Sequence, residues 1–107
     1  GISFHEFVRF HLTIDRPAEL LAMEIAFQLV DRVHRGRVGM NELRYFLREF
    51  YGKEQGTDLL TKMALDSPKA MSKWMKEELN FKEFQALYPD LPAEVKADME
   101  LLVQQSK

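Results

Sequence analysis

A chain of 107 residues is long enough for one domain around a single core, and with 46% hydrophobic and 30% charged residues it has the balance of a globular protein, not of a disordered or low-complexity one. The formal charge of −2, with basic residues dispersed among the acids, argues against nucleic acid as a partner, and the lack of cysteine removes disulfides and thiolate zinc sites. No apolar run approaches the ~20 residues that span a bilayer and no targeting signal opens the chain, so a cytoplasmic setting is expected and no transmembrane segment.

Helical spacing of apolar residues runs through nearly the whole chain. Phe4, Phe7, Val8 and Leu12 share one face of a short first helix, which "TIDRP" breaks. Asp15 is a suitable cap and Pro17 a suitable first-turn residue for a helix through "AELLAMEIAFQLV" to about Val30. Leu43, Phe46, Leu47, Phe50 and Tyr51 form the clearest stripe, stopped by Gly52. Thr57 is expected to cap a helix through "DLLTKMALD", and Ser67 with Pro68 to start another in "SPKAMSKWMKEE". "DLPAE" opens a last helix on which Val95, Met99 and Leu102 share a face. No segment alternates like a strand, so the fold class is all-α.

A repeat organises these helices. "ISFHEF" at 2–7, "VGMNEL" at 38–43 and "LNFKEF" at 79–84 share the pattern apolar-x-apolar-x-Glu-apolar, at offsets of 36 and 41 residues, close to one helix-loop-helix unit. Extended backwards, the middle copy becomes "AFQLVDRVHRGRVGMNELRYFL". This stretch resembles an EF-hand, with Asp31 at loop position one, Gly36 at the turn in position six, apolar Val38 at position eight and Glu42 at position twelve. The resemblance implies EF-hand-like paired helix-loop-helix units in a single domain over 1–107: a partial hand at 1–12, a degenerate hand at 17–51, a degenerate hand with a loop insertion at 57–88 and a C-terminal helix at 92–105. Val38 would then pair with a neighbouring loop. Because Gly1 would stand at loop position seven of the first copy, the chain is expected to be a fragment of a larger protein.

The ligand chemistry of that family is not repeated here. Calcium takes about six to eight oxygens. Positions three, five and nine are Val33, Arg35 and Gly39, which leaves Asp31 and Glu42 as side-chain donors amid Arg32, Arg35 and Arg37. In the third copy, Asp66 as position one would stand 17 residues before Glu83 where 11 are standard, so six extra residues, read as a helical turn, must be accommodated. No metal and no other cofactor is expected. Glu6, Glu42 and Glu83 are adequately explained by the positive ends of the helices they open. His5, His11 and His34 have no common face, and no triad, phosphate loop or paired carboxylate suggests an enzyme.

Most of the six methionines should be core. The sharper possibility is that Met71, Trp74 and Met75, with Phe46, Phe50 and Phe84, line a groove for an amphipathic helix, as EF-hand proteins generally offer. Arg32, Arg35, Arg37, Arg44 and Arg48 form the one basic concentration, more simply a solvated face than a weak contact to an anionic surface or acidic partner. The expected function is therefore a calcium-independent interaction or scaffold module that binds an amphipathic peptide helix or a neighbouring domain. Two alternatives stay open: a calcium-sensor fragment whose working hand lies upstream, and a regulatory EF-hand segment of a multidomain enzyme.

Overall fold

The computed structural model describes residues 17–105. The expected first helix, the repeat copy at 2–7, the partial hand at 1–12 and the residues Glu6, His5, His11 and Asp15 lie outside them. Within the described residues the chain is all-helical: α1 (Ala18–Val30), α2 (Met40–Tyr51), α3 (Lys53–Asp66), α4 (Pro68–Lys76), α5 (Phe81–Leu87), a 3-10 turn (Tyr88–Asp90) and α6 (Ala93–Gln105). None of these helices is long and apolar enough to cross a membrane.

The chain punctuation sets most of the boundaries. Pro17 precedes the first residue of α1, in the flanking position and not inside the first turn. Gly52, at φ +92°, ends α2 in a conformation that a side chain would resist, and α3 starts at the very next residue. This overturns the expected start at Thr57. Its hydroxyl donates to the Lys53 carbonyl one turn back, so it lies inside a helix that began four residues earlier. Pro68 does open α4, but the Ser67 side chain makes no cap bond.

The helix expected in "SPKAMSKWMKEE" is the nine-residue α4, longer than the single inserted turn that the third copy's loop would accommodate. Asp66 consequently ends α3 and is exposed, a whole helix away from the loop that follows Lys76.

Two pairings hold the layers together. The most extensive lies between α2 and α3, and α1 lies against α6. Gly56 makes the first possible: a Cβ there would stand 2.8 Å from the backbone carbon and oxygen of Leu47. The core gathers Leu21, Ile25, Phe27 and Val30 of α1, Leu43, Phe46 and Leu47 of α2, Leu59 and Met63 of α3, and Val95, Met99 and Val103 of α6. At its centre Phe84 has no exposed surface, and its ring lies 5.3 Å from Phe27, 5.9 Å from Trp74 and 6.2 Å from Tyr88. The edge-to-face contacts with Phe27 and Trp74 add to the burial of the rings themselves.

Candidate functional site: the paired loops and the arginine face

The loop between α1 and α2 and the loop between α4 and α5 meet at one point. Val38 donates its N–H to the Leu79 carbonyl at 2.9 Å, and Leu79 donates to the Val38 carbonyl at 2.7 Å. Both side chains are fully buried beneath this antiparallel bridge. The two residues hold the same position, the first, in "VGMNEL" and "LNFKEF".

The shared glutamates also have matching work. Glu42 Oε1 accepts from the Gly39 N–H at 2.8 Å, and Glu83 Oε1 accepts from the Asn80 N–H at 3.0 Å. At the second site Asn80 Oδ1 accepts in return from the Glu83 N–H at 2.9 Å, a complete capping box. Each glutamate therefore satisfies an otherwise unpaired donor where its helix begins.

Asp31 is the one buried charged residue among those described, with 3% of its surface exposed. Its Oδ1 accepts from the Arg35 N–H at 2.9 Å and its Oδ2 from the Gly36 N–H at 2.8 Å. Both carboxylate oxygens are thus occupied by the loop's own backbone. Gly36 at φ +80° and His34 at φ +58° provide the left-handed turns that bring those amides round.

The Arg35 side chain then crosses the loop. Its guanidinium lies 3.2 Å from Glu42 and 3.5 Å from Glu78, which stands beside Leu79 in the other loop. The two loop carboxylates, Asp31 and Glu42, are both already engaged. The Asp31 oxygens face amide hydrogens, Glu42 already holds a cation, and positions three and nine offer Val33 and Gly39. Among the described residues no group of three or more His, Asp or Glu side chains is arranged to hold a metal ion.

The six residues expected to line a groove do not come together on one surface. Phe46, Trp74 and Phe84 are buried, Met71 is half-buried against the core, and only Phe50 and Met75 are exposed, at 44% and 67%. The reason is Phe84, which attracts the inward faces of α1 and α4 around one ring and so encloses Trp74. Of the methionines, Met63 and Met99 are fully enclosed, and Met23, Met40 and Met71 pack partly against the core.

The arginines divide into two groups. Arg35 is engaged by Glu42 and Glu78. Arg32 lies over the Tyr45 ring, its guanidinium carbon 4.2 Å from the ring centroid. A shallow depression of about 340 Å³ beside Tyr45 is lined by Asn41, Arg44, Arg48 and Glu49. Arg37 is exposed in the loop. Sequence reasoning missed Tyr45 and Glu78. Tyr45 follows Arg44 on the polar side of α2, a visible signal, whereas the Glu78 contact crosses between loops and leaves no trace in local spacing.

No family model, curated protein or solved structure matches this chain.

Proposed function

We propose that this chain is a calcium-independent, EF-hand-like interaction module, in which two helix-loop-helix units are tied by their loops and an arginine takes the position that an ion would have. The observation that carries the reading is the Val38–Leu79 bridge, which pairs like positions of two copies of one pattern across 41 residues. Calcium independence is supported by the loop chemistry, since Arg35 already pairs with Glu42 and each Asp31 oxygen already accepts a backbone amide. With the loop's form fixed by internal bonds, the module does not need an ion to present its outer faces, and its work is to hold a protein partner.

Calorimetric titration of calcium into the chain tests this directly. No heat of binding is expected at sub-millimolar calcium, and the far-UV circular dichroism should be the same with and without chelator. Saturable binding at micromolar calcium would overturn the reading.

A further inference from the structure

We propose that the outer face of α2, formed by Arg44, Arg48 and the Arg32–Tyr45 stack, is the docking surface for an acidic, glutamate- or aspartate-bearing segment of a partner protein. The inference rests on the interaction-module reading and gives its partner a chemistry.

Three observations converge on this face. The first is unspent charge. The chain carries 17 acidic and 15 basic residues, yet among the described residues neither Arg44 nor Arg48 has a carboxylate within ion-pair distance, while Arg35 nearby has two. Glu49, the acid that lines the same depression, forms no ion pair with either of them.

The second is arrangement. Stacking on Tyr45 orients the Arg32 guanidinium before any partner arrives, which reduces the side-chain entropy that binding would otherwise cost. Arg44 and Arg48 are one turn apart on α2, and with Tyr45 they line one depression. Tyr45 itself keeps 43% of its surface exposed.

The third is the kind of cation. All seven arginines of the chain lie at or before residue 48, and all eight lysines at or after residue 53. Guanidinium groups grip carboxylates with two parallel hydrogen bonds, whereas an ammonium acts as a point charge. Arginine and tyrosine are also the side chains that carry most binding energy at protein interfaces. A membrane surface fits less well: polybasic lipid contacts use clusters of about four to eight cations, and this face has three with a glutamate among them.

The test is fluorescence polarisation with a labelled oligoglutamate peptide, titrated with the full chain in chelator at moderate salt. Saturable, salt-sensitive binding is expected. The double variant Arg44→Glu/Arg48→Glu should weaken it by about tenfold or more. Arg44→Lys/Arg48→Lys, which keeps the charge and loses the fork, should weaken it by about threefold. Both pairs are exposed, and unchanged helical circular dichroism establishes that the variants fold. Equal binding by wild type and the glutamate variant overturns the proposal, as does binding to phosphatidylserine vesicles without binding to the peptide. If peptide binding appears only when calcium replaces chelator, the calcium-independent reading fails while the arginine face stands.

Discussion

Two glycines of this chain are constrained for opposite reasons. Gly36 has open space where a Cβ would go but a φ of +80°, so its cost is conformational. Gly36→Ala should lower stability by about 1–2 kcal/mol, the ordinary penalty for a left-handed alanine. Gly56 has an ordinary helical backbone, but its Cβ would meet the Leu47 and Arg48 backbone at 2.8–2.9 Å. Because neither backbone can yield without parting α2 from α3, Gly56→Ala should cost about 2–3 kcal/mol despite improved helix propensity. Urea melts of the two variants measure both values. A milder effect at Gly56 than at Gly36 would mean that the helix pair can slide.

At the scale of elements, capping decides where α2 and α5 begin. Asn80→Ala removes one half of the capping box at α5 and should cost about 1 kcal/mol, read as a shift in the urea midpoint. Much of this level is legible in the sequence. The end of α1 at Val30, the stop at Gly52, the start at Pro68 and the placing of Glu42 and Glu83 at the positive ends of their helices follow from residues with strong local preferences. Thr57 misleads because a threonine hydroxyl bonds as readily to a carbonyl one turn back as to a free amide at a helix start. The loop insertion assigned to the third copy fails for another reason: counting from an assumed loop position at Asp66 imposes a register that the chain does not keep, since the whole of α4 lies between. Trp74 shows the limit most clearly. Periodicity identifies its face of α4 as apolar, but that face is covered by Phe84 of α5, itself held against Phe27 of α1 by a contact that local spacing does not show.

For the molecule as a whole, α6 is fastened to the α2–α3 pair by two side-chain contacts. Tyr51 donates its hydroxyl to Asp98 at 2.6 Å, and Lys62 pairs with Glu94 at 3.0 Å, where the ammonium holds the Glu94 carboxyl below its usual range. Burial, with the Asp98 hydrogen bond added, raises the Tyr51 phenol well above its ordinary value. Burial likewise pushes Tyr88 up to about 12, and its hydroxyl has no hydrogen-bond partner among the described residues. The unfolded chain releases these protons near pH ~10 while the folded chain retains them, so the folded state binds more protons above that point. Stability is therefore complete below pH ~10 and falls as the pH rises through the folded values. Thermal melts across the alkaline range should follow that decline. Tyr88→Phe should flatten it and, by removing an unsatisfied hydroxyl, leave neutral-pH stability unchanged or raise it by about 1 kcal/mol. A lower melting temperature for Tyr88→Phe at neutral pH would contradict this account of the hydroxyl.

The bridge between Val38 and Leu79 has an implication for assembly. An antiparallel pair that exchanges both of its hydrogen bonds has a local two-fold axis, and here equivalent positions of two similar segments stand on either side of it. Each unit thus presents an edge complementary to another of its own kind. A chain opened between α2 and α4 could satisfy both edges from a second copy without losing a backbone bond, the condition under which domains are exchanged between molecules. The close packing of α3 on α2 at Gly56 would be lost in that opening, so the glycine that lets the two helices meet also favours pairing within one chain over pairing between two.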